Sequence, residues 1–116
     1  AKAHNVRPGI IRKFLDAFKE IDLLAMPTVP RKANAYEEPV NYEDAVDQTL
    51  FGGQNGSDIQ RIISNTAPYN YTGFPAIAFP CGTSNGLPLS IQLVAPYFRD
   101  DLLIRVAHRY QRSAAQ

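Results

Sequence analysis

The dipeptide Asn85-Gly86 sets the tightest limit on what this chain can fold into. Asn-Gly takes the positive φ angles of a tight turn at little cost. Here it lies between two short apolar runs, Ala76 to Phe79 and Leu89 to Val94, each bounded by Gly and Pro. The expectation is two strands joined by a hairpin-like connection from Cys81 to Leu87. Ile91, Leu93 and Ala95 alternate with Ser90, Gln92 and Val94, which predicts a second strand with one drier face.

The flanking segments supply helices and one more strand. Pro8 to Lys19 predicts an amphipathic helix with Ile10, Ile11, Phe14, Leu15 and Phe18 on one face, and with Pro8 in the first turn, where its missing N–H costs nothing. Ile21 to Met26 predicts a short buried strand stopped by Pro27 and Pro30. Residues 31 to 40 show no periodicity and read as a loop. Asn41 is expected to cap a short helix from Tyr42 to Phe51, which Gly52-Gly-Gln-Asn-Gly56 then breaks. Ser57 with Gln60 forms the capping box of a helix reaching Thr66, which Pro68 is expected to end. Asp100 is expected to cap a last helix to about Arg112, with Leu102, Leu103, Val106, Ala107 and Tyr110 facing in. The fold class is therefore α/β, a mixed β-sheet piece flanked by helices. One domain is expected over residues 1–116, with residues 31–56 as a variable loop and short helix.

Composition closes off several functions. The net charge of +1 and the absence of a basic run predict no direct nucleic-acid partner. No segment approaches the ~20 apolar residues that cross a bilayer, so no membrane partner is expected. One cysteine cannot form an internal disulfide, which fits a reducing, cytoplasmic setting. The opening Ala-Lys-Ala-His lacks the apolar core of a secretory signal. A chain that begins without Met and enters a helix almost at once reads as cut from something longer.

Few residues carry chemistry on their own. The five serines (Ser57, Ser64, Ser84, Ser90, Ser113) are isolated, none sits in a Gly-x-Ser-x-Gly elbow, and no lysine lies beyond Lys32. Gly52 to Gly56 lacks the Lys-Ser/Thr ending of a phosphate loop and reads as a connector. Cys81 has no histidine near it in sequence and reads as a buried structural cysteine rather than a nucleophile. His4 and His108 read as solvated, and no spacing of His, Cys, Asp and Glu suggests a metal site.

Several segments taken together resemble one family. Thr66-Ala-Pro-Tyr-Asn70, Thr72-Gly-Phe-Pro-Ala-Ile-Ala78, Pro80-Cys-Gly82 and Gly86-Leu-Pro-Leu-Ser-Ile-Gln-Leu93 resemble, in that order, the carboxy-terminal portion of the amidase signature family. Upstream, Asp22-Leu-Leu-Ala-Met-Pro-Thr28 is similar to that family's Asp-x-Leu-x-x-Pro-Thr strand, and Leu102 to Ala107 resembles its closing helix. The resemblance implies a fragment of an enzyme that hydrolyses or transfers amides with a serine nucleophile, a second serine joined through a cis peptide and a lysine base. That triad belongs to the amino-terminal part of such proteins, and this chain has no adjacent Ser-Ser pair. No catalytic residue and no cofactor are therefore assigned here, and the chain alone is expected to be inactive.

What the resemblance leaves for this chain is substrate-pocket wall. The helix ending at Thr66 and the turn into Asn70 would face the acyl side of a small amide substrate, with Ile63, Thr66 and Ala67 inward. Ordinary core packing is the competing account of the same face. Asn70 and Gly73 are expected to be structural, bracing a turn and supplying backbone freedom. The glutamine-using branch of the family, the glutamyl-tRNA amidotransferase, typically carries an aspartate at the place of Ile63, and an apolar residue cannot pair with an ammonium. The balance favours a general amidase with an apolar or neutral acyl group. A third alternative is a non-catalytic interaction module derived from the same fold, self-associating through an exposed sheet edge.

Overall fold

Asn85 (φ 54°) and Gly86 (φ 78°) form a two-residue turn of the mirror-image kind that matches strand twist. It joins β2 (Ala76–Ser84) directly to β3 (Leu87–Val94). The strands are longer than their apolar runs, because ladder bonding carries them through the polar residues up to the turn itself. The register shifts between Pro80 and Gly82, leaving Cys81 as the extra residue of a β-bulge. Cys81 is exposed there, not buried as the sequence suggested.

The computed structural model describes residues 2–32, 41–43 and 63–114. Within them, β1 (Leu24–Pro27) pairs antiparallel with β3, and the strand order is β1-β3-β2. The α/β architecture expected from the sequence is present, with both described strand pairings antiparallel. β1 is half-buried, not fully buried as its apolar run implied, because it lies at an edge of the described sheet. Pro88 is accommodated in β3 because β1 pairs only with Ile91 to Val94, so Pro88 has a ladder partner on one side only.

Three helices are described. α1 (Lys2–Ala17) begins before Pro8 rather than at it. Its turns ahead of Pro8 are largely exposed, and its packing residues are Ile11 and Phe14, with Phe18 packing just beyond its end, while Leu15 is exposed. α2 (Ala67–Thr72) corrects a second expectation: Pro68 lies in its first turn and opens a helix where it was expected to end one. The N–H that proline lacks would have had no intrahelical partner there. Gly73, at φ 82°, closes α2 by donating its N–H to Tyr69 O. α3 (Asp100–Ala114) follows the turn after β3. In its first turn Asp101, not Asp100, is the carboxylate with partners, Arg99 and Arg105. The hydrogen bond from Arg99 is the main reason the Asp101 carboxyl lies below its ordinary range.

The end of β3, Gln92 to Val94, is covered on both faces, so its alternating pattern understated its burial there. On one face Leu93 packs with Phe79, Ala95 and the α3 residues Leu103 and Ala107. On the other, Val94 packs with Tyr69 and Phe74, against which Ile11, Phe14, Phe18, Leu24 and Met26 lie. Val106 and Tyr110 are more exposed than their helical positions implied. Of the loop and short helix expected over residues 31–56, only 31–32 and 41–43 are described, with Tyr42 and Glu43 helical where the short helix was expected to begin; the rest, and most of the helix expected from Ser57, lie outside the described residues.

Candidate functional site

Ile63, Thr66 and Ala67 are brought together by one tight turn that leads into α2. The carbonyl of Ile63 accepts from Thr66 N (3.1 Å), Ala67 N (2.9 Å) and Thr66 Oγ1 (3.3 Å). Thr66 occupies the position before the helix, yet its hydroxyl bonds back to Ile63 and caps no helical N–H. Ile63 is 44% exposed, while Thr66 and Ala67 are half-buried. Residues 63 to 66 form turns rather than the helix expected for them.

The turn is held to the sheet by two amide side chains. Asn65 Nδ2 donates to Pro27 O at 2.8 Å, reaching the last residue of β1. Gln92 Nε2, from the middle of β3, donates to Asn65 O at 2.6 Å. Beside them Thr28 Oγ1 and Ser90 Oγ lie 2.7 Å apart, and Thr28 N donates to Ser90 O, which extends the β1–β3 ladder past Pro27. Tyr69 Oη donates to Met26 Sδ at 3.5 Å, tying α2 to β1, and burial raises the Tyr69 phenol above its ordinary value. The Asp-x-Leu-x-x-Pro-Thr segment and the Gln92 segment thus meet at the turn.

Among the described residues, no base is hydrogen-bonded to the serine beside this turn, Ser90. A serine needs a base within hydrogen-bond reach, and the described partner of Ser90 Oγ is the Thr28 hydroxyl. Among the described residues no three His, Cys, Asp or Glu side chains gather as a metal site would require. No described helix is long and apolar enough to cross a membrane. Asn70 is exposed on α2, with no side-chain hydrogen bond to another described residue, so the bracing role expected of it falls instead to Asn65.

Residues 1–104 match the model of the family described as Amidase. The chain belongs to the amidase family. Among curated proteins, this amidase chain is 35% identical over 114 residues to the A subunit of the glutamyl-tRNA(Gln) amidotransferase of Methylococcus capsulatus, covering 97% of the chain and 20% of that protein. It is 38% identical over 112 residues to the protein of the same name in Azotobacter vinelandii, with the same coverage. Among solved structures, it superimposes on the corresponding glutamyl-tRNA(Gln) amidotransferase chain of Thermotoga maritima with a TM-score of 0.61 and 29% identity, covering 90% of this chain and 20% of that one. A 6-aminohexanoate cyclic dimer hydrolase gives a TM-score of 0.64 and 28% identity, covering 96% and 22%. The amidase chain thus spans about a fifth of the length of these relatives.

The turn was legible in the sequence as candidate wall, but its supports were not. Gln92 carried a usable signal: an amide amid Ile91, Leu93 and Val94 in a core strand must find a hydrogen-bond partner or lose stability. Asn65 carried none, because its two partners come from positions 38 and 27 residues away.

Proposed function

We propose that this chain is the carboxy-terminal wall of an amidase catalytic chamber. It contributes sheet, covering helices and the acyl side of the pocket, while the Ser-cisSer-Lys chemistry lies in polypeptide outside it. The supporting observation is the turn at Ile63–Ala67, which presents an open apolar surface while anchored at its back to two strands. In this reading Ile63 bounds the acyl group, and Thr66 and Ala67 complete the wall. No ionisable group stands at any of the three positions, so the wall accepts an apolar or neutral acyl group and has nothing to hold an ammonium. The working protein is taken to be cytoplasmic, where the exposed thiol of Cys81 stays reduced.

A second reading, the glutamine-using component of a glutamyl-tRNA amidotransferase, is favoured by the names of the curated relatives. Ile63 weighs against it, because a glutamine substrate brings an α-ammonium that would lose its hydration here without gaining a partner. The discriminating experiment compares kcat/KM for propionamide and for glutamine in the complete gene product, with and without Ile63→Asp. The proposal expects propionamide to be preferred by the natural protein, and the substitution to move preference toward glutamine by at least about tenfold, the scale of one charged hydrogen bond. A natural protein that prefers glutamine contradicts it.

A further inference from the structure

We infer that Asn65 and Gln92 are positioning residues that set how the acyl group is received, by fixing the height of the Ile63–Ala67 turn above the sheet. The inference deepens the proposed wall and rests on it. Gln92 is 5% exposed in the central strand, a place where an amide persists only if its polar atoms are satisfied. Its Nε2 donates to Asn65 O at 2.6 Å, and Asn65 Nδ2 in turn donates to Pro27 O at 2.8 Å. One residue of the turn is therefore gripped from β3 through its backbone and grips β1 with its side chain. The Thr28–Ser90 hydroxyl pair, at 2.7 Å, ties those two strands together immediately beside the grip.

Among the described residues, packing holds the start of the turn only weakly. Ile63 and Ser64 are exposed, and among the described residues the nearest buried one in sequence is Tyr69 in α2. The two amide bonds reach the turn from adjacent strands, so together they fix both its distance and its tilt. Cutting either one removes one of the two described restraints on the turn and so loosens the surface that would receive the acyl group. Because the turn bounds the acyl group and carries no reacting atom, the loss falls on binding. KM rises while kcat holds, and the effect grows with the size of the acyl group.

The test is made in the complete gene product with Gln92→Met, which keeps length but loses the donor, and with Asn65→Ala. Kinetic constants are measured on propionamide and benzamide, with Ile63→Ala as a direct probe of the wall. The expected result is a KM for benzamide raised about tenfold by each clamp variant, the scale of one buried hydrogen bond. The propionamide KM should move less than about threefold and kcat less than about twofold, since uniform binding alone is lost. A general loss of structure would instead lower kcat on both substrates. If Ile63→Ala shifts the benzamide-to-propionamide ratio and the clamp variants leave it unchanged, the positioning role is refuted and the wall stands. If Ile63→Ala leaves the ratio unchanged as well, wall and clamp both fall. Should Gln92→Met not fold, Asn65→Asp, which sets an acceptor against Pro27 O at a half-buried position, carries the same expectation: a tenfold benzamide effect supports the clamp and an unchanged KM refutes it.

Discussion

Phe74 and Tyr97 stack with ring centroids 4.3 Å apart and planes inclined by 16°. The pair joins the loop after α2 to the turn after β3, and the Tyr97 hydroxyl donates to the carbonyl of Thr72, the last residue of α2. Phe74 also meets Phe14 of α1 and Phe18 just after it. One aromatic cluster therefore holds two helices against the face of the sheet that carries the candidate wall. Phe74→Ala should destabilise the chain by about 3–5 kcal/mol, the usual cost of deleting a buried ring. Tyr97→Phe keeps the stack and loses one hydrogen bond, at about 1–2 kcal/mol. Urea unfolding followed by circular dichroism checks the order of the two effects.

The hairpin gives a test of backbone strain without side-chain packing. Nothing lies within 4 Å of the place a Cβ would occupy on Gly86, whose φ is 78°. Gly86→Ala should therefore cost only the left-handed backbone penalty, about 1–2 kcal/mol. Asn85→Gly, at φ 54°, should be close to neutral. Thermal melting of both variants at one protein concentration decides it; equal losses would show that the turn does not hold this geometry.

Tyr69 links stability to pH. Its folded pKa is raised above 10.0 by burial, so above pH 10 the unfolded chain loses that proton first. The unfolded state then binds fewer protons than the folded one, and stability falls as pH rises from 10 through the raised folded value. Below pH 10 the group contributes no slope. Tyr69→Phe keeps the ring against Phe14 and removes this contribution. Urea midpoints between pH 9 and 11 should fall less steeply in the variant than in the natural chain.

The outer strands expose a liability that a larger protein would cover. Among the described residues neither the free edge of β1 nor that of β2 has a partner strand. Phe98 is 95% exposed and sits at φ 65°, a costly conformation for a bulky residue. The isolated chain is expected to self-associate, and Ala78→Lys, placing a charge on exposed β2, should reduce the association. Light scattering across a concentration series reads both; a monomer at every concentration would contradict the expectation.

Local chemistry explains what the sequence disclosed and what it hid. Asn85-Gly86 fixed its own turn, and the α3 periodicity survived because Leu103 and Ala107 pack directly on Phe79 and Leu93. Pro68 misled because proline punctuates both ends of helices: the residue before it avoids helical geometry, yet its ring suits a first turn. The alternation in β3 suggested one wet face because it cannot register helices contributed by distant segments, here α1 and α2 over Val94. Ile63, Thr66 and Ala67 stood out as candidate wall only through their place beside a familiar pattern. The Asn65–Gln92 clamp was not, since it exists only after three separated segments have met.

The central claim is that these residues shape a chamber whose reacting groups lie in other polypeptide. The direct measurement is propionamide turnover by the 116-residue chain beside the complete gene product under the same conditions. The account predicts hydrolysis by the complete protein and none by the chain. Turnover by the chain alone, persisting when Cys81 and all five serines are replaced, would contradict it.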